Sequence, residues 1–128
     1  MKVLKVKFKQ IGYTGENIGK DIEVEISVKE KNVFNRSFKL EHGDIKAFDD
    51  ELIALDVNHD ISLPVKVKIT EQDPVYDDVG QGASVFNVKF NGPKSQLHSF
   101  DVIVIGDPRG DHCKKAVFPI FMEAELEY

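Results

Sequence analysis

The chain has 128 residues, of which 41% are hydrophobic and 30% are charged, a balance typical of one folded domain rather than of a disordered chain. Its formal net charge of −5 argues against general nucleic-acid binding, which uses a basic surface. No apolar run approaches the roughly 20 residues of a membrane span, and the alternating N-terminus lacks the apolar core of a secretion signal. We therefore expect a single domain over residues 1–128, in the cytoplasm, with no nucleic-acid partner.

Alternation of apolar and polar residues dominates the chain and is typical of β-strands with one buried and one exposed face. In chain order, this pattern covers residues 4–9, 22–29, 34–40, 65–70 and 116–124. Two runs, 52–55 and 102–105, are apolar on both faces and are expected to be central strands or strands partly covered by a loop. The only helical signal is one turn within residues 44–52, with Asp44 as its cap. About eight strands separated by turns predict an all-β, antiparallel β-sandwich or barrel.

An acidic turn at residues 71–78 places four carboxylates between two predicted strands. Carboxylates this close repel one another unless a positive charge lies among them, so the turn is either a fully solvated tip or a site for a hard cation. Glu71 and Asp73 are two apart at a strand end and point the same way, while Asp77 or Asp78 returns on the far side. Calcium takes six to eight oxygen ligands from such loops. The alternative is a hydrated turn whose aspartates bind their own backbone.

A second loop, residues 13–21, lies between the first two predicted strands and contains two glycines. Its Glu16, Asn17 and Asp21 side chains offer further oxygen ligands. Loops of this composition are common, so this one bears on metal binding only if the fold places it beside the acidic turn.

Together the two loops resemble those of the C2 domain, a calcium- and lipid-binding β-sandwich. In that family a strand ends in Asp-x-Asp, a further Asp precedes a hydrophobic residue and Gly, and an earlier loop carries an Asn/Asp-x-Gly stretch that leads into a strand. The similar segments here are Glu71-Gln-Asp73, Asp78-Val-Gly80 and Asn17-Ile-Gly-Lys-Asp21. The resemblance, over residues 1–90, implies an eight-stranded antiparallel sandwich with both loops at one end. It also implies calcium ligands at Asp21, Glu71, Asp73 and Asp78, with Glu16 or Asn17 nearby.

The chain departs from the family pattern at several points. Glu71 stands where the first aspartate is usual, and Asp78 follows Asp73 one residue sooner. Lys20 adds a positive charge beside the expected ion. Many members of the fold bind no calcium, so two functions remain open: a calcium-binding module, or a metal-free interaction or structural domain.

Two groups of residues are candidates for contact with an anionic membrane surface or a protein partner. Val75 and Tyr76 lie at the expected tip of the acidic turn. Lys66 and Lys68 would join a basic strip with the N-terminal lysines at 5, 7 and 9 if the exposed faces of the two strands adjoin. The alternative is that these lysines only keep strand faces soluble and discourage edge-to-edge association.

No catalytic pattern is evident. The four histidines lack metal-ligand or catalytic spacing, and no phosphate-binding loop precedes a helix. The single cysteine, Cys113, excludes an internal disulfide and argues against a structural zinc site. Residues 109–111 spell Arg-Gly-Asp, an adhesion motif on some secreted loops, but a tight hairpin turn explains Pro108 and Gly110. We expect a binding protein rather than an enzyme.

Overall fold

The alternating segments of the sequence form nine β-strands in the computed structural model, which describes residues 1–128. In chain order these are β1 (Lys2–Gly12), β2 (Thr14–Gly15), β3 (Asp21–Val28), β4 (Lys31–Lys39), β5 (Ile45–Val57), β6 (Ile61–Glu71), β7 (Asp78–Val88), β8 (Ser95–Ile105) and β9 (Lys115–Glu127). The all-β class with about eight strands is confirmed, since β2 is only two residues long. No helix of a length and apolar character suited to crossing a bilayer is present.

The strands pair into two antiparallel sheets, which confirms the predicted sandwich. One sheet has the order β4–β3–β6–β7, and the other has the order β8–β9–β1–β5, with β2 paired to the start of β9. The strands obey the predicted alternation: in β3, for example, Ile22, Val24 and Ile26 are fully buried while the residues between them are half-exposed. The buried faces of both sheets therefore meet in one core.

The core contains 29 buried hydrophobic residues. An aromatic cluster closes one side of it: the Phe8 ring stacks on Phe48 at a centroid distance of 4.7 Å and meets Phe34 edge-on at 5.1 Å. These side chains come from β1, β5 and β4, so the cluster joins the two sheets across the open side between the β4 and β5 edges. Such aromatic pairs add about 0.5–1.5 kcal/mol each beyond the burial of their area.

The expectation of central strands at 52–55 and 102–105 was wrong. Both runs lie in edge strands, because β5 pairs only with β1 and β8 pairs only with β9. In β8 the outward-facing Ile103 and Ile105 remain 43% and 50% exposed. The helical turn expected within 44–52 is also absent, because these residues hydrogen-bond to β1 as part of β5. Pairing along a whole strand outweighs a local helix signal of one turn.

Two glycines in β7 let the edges of the two sheets approach each other. A Cβ atom at Gly82 would lie 2.9 Å from a methyl carbon of Val102, and one at Gly80 would overlap the carbonyl oxygen of Ile103. The contact at Gly80 is with backbone, which cannot move aside as a flexible side chain can. This close approach of β7 and β8 brings together the connections that follow β6 and β8.

We predict that Gly80→Ala destabilises the protein by about 1–3 kcal/mol, because the added methyl group overpacks the contact between β7 and β8. Urea denaturation followed by circular dichroism measures the change. The matched control is Gln81→Ala, which alters an exposed neighbour on the same strand and should change the free energy of unfolding by less than about 0.5 kcal/mol. Equal stabilities for Gly80→Ala and the parent protein would contradict the close approach.

Candidate metal centre

Three connections, residues 13–20, 72–77 and 106–114, form what we call the acidic pole at one end of the sandwich. Residues 40–44 lie at the same end, where the backbone N–H of Gly43 donates to the carbonyl of Tyr13 at 2.9 Å. The backbone N–H of Gln72 donates to the carbonyl of Asp21 at 2.8 Å and fastens the second connection to the start of β3. The N–H of Asp107 donates to Oδ1 of Asp78 at 2.6 Å and fastens the third connection to the start of β7. The two loops expected at one end do lie there, together with a third.

Four carboxylates converge at the acidic pole. One oxygen from each of Glu71, Asp73, Asp78 and Asp111 lies within 4.8 Å of the others. Because calcium–oxygen distances are about 2.3–2.6 Å, two oxygens on one calcium ion are at most about 5 Å apart. The four carboxylates are therefore within reach of a single ion.

The burial of these carboxylates distinguishes them from an ordinary solvated turn. Glu71 and Asp78 face each other across the β6–β7 ladder and are only 2% and 1% exposed. Oε2 of Glu71, Oδ2 of Asp78 and Oδ2 of Asp111 are buried and accept no hydrogen bond from the protein. A buried carboxylate oxygen without a donor or cation is costly. An oxygen-only donor set with this deficit of positive charge fits a hard divalent cation such as calcium.

Burial and the proximity of these acids to one another raise the pKa values of three of them. Burial raises the pKa of Glu71 to about 8, and the neighbouring carboxylates of Asp73, Asp78 and Asp111 contribute to that rise. Burial also raises the pKa of Asp78 to about 7, with a contribution from the neighbouring carboxyl group of Asp111. Burial raises the pKa of Asp73 as well. Near neutral pH the cluster therefore retains protons in the absence of a cation, and a cation that binds there displaces them.

We predict that the metal-free protein loses stability as pH rises from about 5 to about 8. The folded-state pKa values of Glu71 and Asp78, about 8 and about 7, exceed their ordinary values. The stabilising effect of the bound protons is complete below about pH 4 and is lost as pH rises through those folded values. Thermal unfolding in a chelator at pH 5, 6.5 and 8 measures this trend.

Glu71→Gln should weaken that pH dependence, because the amide has the shape of the protonated acid and does not titrate. A metal-free stability that is constant or rises between pH 5 and 8 would contradict the burial of these carboxyl groups.

Asp21 was expected to be a ligand, but the structure does not bring it into the cluster. Ile22 points into the core, so its neighbour Asp21 points away from it. The Asp21 side chain is 49% exposed, and its Oδ1 accepts a hydrogen bond from Nζ of Lys39 at 3.2 Å.

Glu16 and Asp77 also lie outside the cluster. Oε1 of Glu16 accepts the backbone N–H of Lys115 at 3.0 Å, which fastens the first connection to the start of β9. Oδ1 of Asp77 accepts the backbone N–H of Asp73 at 3.0 Å and closes the turn. Both residues organise connections at the acidic pole and supply no oxygen to the cluster.

The first connection forms a wall of the site instead of supplying ligands. A Cβ atom at Gly19 would overlap the Glu71 carboxylate, so the longer glutamate is accommodated only against a glycine. The hydroxyl group of the buried Tyr13 donates to the carbonyl of Gly19 at 2.7 Å and accepts the N–H of Ile18 at 2.8 Å. These bonds hold the backbone of Gly19 against Glu71.

Asp111 is the member of the cluster that the sequence reasoning missed, because the Arg-Gly-Asp stretch was interpreted only as a hairpin turn. A usable signal existed: alternate connections between successive antiparallel strands lie at the same end of a sandwich. By that rule the connection after β8 shares an end with the connection after β6. His112 and Cys113 also lie in this connection, with positive φ of 52° and 60°.

The candidate contact residues occupy different surfaces. Val75 is 74% exposed at the tip of the acidic pole. Tyr76, beside it, is half-buried beneath Arg109, whose Cζ lies 4.0 Å from the ring centroid. Lys66 and Lys68 lie on the outer face of β6, and Nζ of Lys68 is 3.9 Å from a carboxylate oxygen of Glu25.

The predicted basic strip does not form. Lys5, Lys7 and Lys9 are on β1 in one sheet, whereas Lys66 and Lys68 are on β6 in the other. Polar residues of the two sheets face opposite sides of the sandwich, so the two lysine groups point away from each other. Acids also neutralise the first group: Nζ of Lys7 lies 3.2 Å from Glu125.

Comparison with known proteins identifies the fold. No protein-family model and no curated protein matches the sequence. A solved structure described as that of a C2 domain is 13% identical, aligns over 100% of both chains and has a TM-score of 0.51. A C2 domain of plant Extended Synaptotagmin 1 is 15% identical over 98% of this chain and 93% of that one, with a TM-score of 0.49. The first of these likenesses shows that the protein has a C2-like fold, as the two loops had indicated.

Proposed function

We propose that the protein is a calcium-binding, C2-like module whose acidic pole docks to an anionic membrane surface or to a protein partner. The observation that supports this most directly is the set of three buried, unpartnered carboxylate oxygens on Glu71, Asp78 and Asp111. With Asp73, these residues would hold the ion. The bound calcium would supply positive charge to the cluster and join the connections at the acidic pole.

The chemistry of the ligands favours calcium over softer metals. The cluster contains only carboxylates, with no histidine or cysteine among its members. Zinc and later transition metals prefer nitrogen and sulfur, whereas calcium takes six to eight oxygens. Four carboxylates leave room in that coordination for backbone, water or partner oxygens. A phosphate or carboxylate group of a partner is therefore a suitable further ligand.

Docking through the tip follows from the positions of the exposed residues. Val75 is exposed on the same connection that carries Asp73, two residues along the chain from that proposed ligand. Lys68 and Lys66 precede Glu71 by three and five residues along β6, which places them about 10 and 17 Å from the pole at the usual rise of a strand. A flat membrane at the tip would not reach them. They would contact only a partner that extends along the side of the sandwich.

A metal-free interaction or structural domain is the alternative, and one observation favours it. The raised pKa values of Glu71 and Asp78 mean that protons alone relieve part of the repulsion within the cluster. The acidic pole would then need no ion at pH 7. In either form we propose a binding role rather than catalysis, in the cytoplasm and without a nucleic-acid partner.

We predict that calcium raises the melting temperature of the protein in a saturable manner. A ligand that binds only the folded state stabilises it by about 2.7 kcal/mol at a concentration 100 times its Kd. Calorimetric titration should give one site per chain. Asp73→Asn and Asp111→Asn should each abolish or strongly weaken binding, because each removes a charged ligand.

The matched control for this titration is Asp21→Asn, which removes an aspartate of the same pole that lies outside the cluster. It should bind calcium as the parent does. No shift in melting temperature and no heat of binding at several millimolar calcium would favour the metal-free alternative. Loss of binding in Asp21→Asn but not in Asp111→Asn would contradict the assigned ligands.

We also predict calcium-dependent binding to vesicles that contain an anionic phospholipid, measured by co-sedimentation. Val75→Asp should reduce that binding severalfold while calcium affinity stays close to that of the parent, because it places a charge at the membrane-facing tip. The double variant Lys66→Gln/Lys68→Gln should bind vesicles as the parent does. The opposite ranking of these variants would place docking on the side of the sandwich.

A further inference from the structure

We infer that Arg109 is a positioning residue that holds the two ligand-bearing connections of the acidic pole in register. This inference rests on the proposed calcium site and deepens it. The side chain of Arg109 carries no oxygen, so it cannot act as a calcium ligand. It acts through Asp107 and Tyr76, and we call this pair of contacts the Arg109 bridge.

The first half of the Arg109 bridge is a pair of side-chain hydrogen bonds to Asp107. Nε of Arg109 donates to Oδ1 at 3.0 Å and Nη2 donates to Oδ2 at 2.9 Å, a two-pronged geometry that fixes orientation as well as distance. The backbone N–H of Arg109 also donates to Oδ1 at 2.9 Å. These bonds hold the pKa of Asp107 down, at about 2, so its carboxylate stays charged and paired.

The backbone of Asp107 is hydrogen-bonded to two of the proposed ligands, so the orientation of Asp107 affects their positions. Its N–H donates to Oδ1 of Asp78 at 2.6 Å, which leaves Oδ2 of Asp78 buried and free for the ion. Its carbonyl accepts the N–H groups of Gly110 at 3.0 Å and Asp111 at 2.9 Å. A rotation of Asp107 would therefore displace Asp78 and Asp111 together.

The second half of the Arg109 bridge reaches the connection between β6 and β7. The guanidinium carbon of Arg109 lies 4.0 Å from the centroid of the Tyr76 ring, within the range of a cation–π contact. Tyr76 lies between Asp73 and Asp78 in the chain, so the contact ties the turn that carries Asp73 to the connection that carries Asp111. The Arg-Gly-Asp stretch is thus used within the molecule: its arginine bridges the connections and its aspartate faces the ion.

Removal of Arg109 should change calcium affinity in opposite directions, depending on whether the residue acts only through its charge or by positioning the ligands. Arg109 is a cation close to a proposed cation site, so by charge alone its removal would strengthen calcium binding. If the Arg109 bridge sets the ligand geometry, removal weakens binding in spite of that gain. A rise or a fall in the Kd of Arg109→Ala therefore distinguishes a positioning role from a purely electrostatic one.

The test is calorimetric calcium titration of the full chain. Arg109→Ala should raise the Kd about tenfold or more, the range found when groups that orient metal ligands are lost. Arg109→Lys should not restore affinity, because an ammonium group keeps the charge but lacks the planar fork. The matched control is Arg36→Ala, which removes an exposed ion pair between Arg36 on β4 and Asp50 on β5 and should leave the Kd unchanged.

Tyr76 variants test the second half of the bridge. Tyr76→Phe keeps the ring and should retain calcium affinity, whereas Tyr76→Leu should weaken binding, by no more than Arg109→Ala does, because it removes only the second half of the bridge. The double variant Arg109→Ala/Tyr76→Leu should be little worse than Arg109→Ala, because that single variant already removes the contact with Tyr76. Metal-free melting curves should change little in the Arg109 variants, since this side chain is 66% exposed.

The outcomes distinguish the bridge from the calcium site itself. Unchanged or tighter binding in Arg109→Ala, with normal binding by the parent, overturns the bridge alone. Restoration by Arg109→Lys or additive losses in the double variant overturn it as well. Absence of calcium binding by the parent overturns the proposed function, and the bridge with it.

Discussion

The buried pairing of Glu71 with Asp78 is the constraint on which the acidic pole depends. The two acids are direct cross-strand neighbours at the end of the β6–β7 ladder, where like charges destabilise a sheet. Their burial removes the water that would screen the repulsion. The pair is therefore stable only with protons or with a cation, and the carboxylates of Asp73 and Asp111 increase the advantage of a cation. A solvated turn would face no such requirement.

The rest of the fold serves to hold this unfavourable arrangement. Gly19 leaves room for the Glu71 side chain, and Tyr13 fixes the backbone of that glycine. Gly80 allows β7 to approach β8, which brings the third connection to the pole. The aromatic and aliphatic core on the far side of these contacts supplies the stability that a cluster of buried acids lowers. The buried acids thus lower the stability locally, and packing elsewhere in the fold compensates for that loss.

The fold was largely predictable because alternation with a period of two reports burial directly. Residues such as Val24 and Val67 face the core in the register that the sequence indicates. The position of a strand in its sheet was less accessible: apolar residues on both faces of β8 suggested a central strand, yet Ile103 and Ile105 are exposed on an edge. The composition of a strand indicates how apolar it is. It does not indicate which strands pair with it, because that depends on the path of the chain.

The sequence by itself determined the all-β class, the acidic turn and the proximity of Glu71 and Asp73 to Asp77 or Asp78, because residues two apart on a strand share a face and a short turn brings its ends together. The choice of Asp78 over Asp77 came from the tertiary structure. Only the tertiary structure decided that Asp111 completes the cluster and that Asp21 and Glu16 do not. Asp111 is distant from Glu71 along the chain, and the contact between them arises from the packing of β7 against β8. Side chains from separate connections meet through sheet packing, and a local pattern does not contain that information.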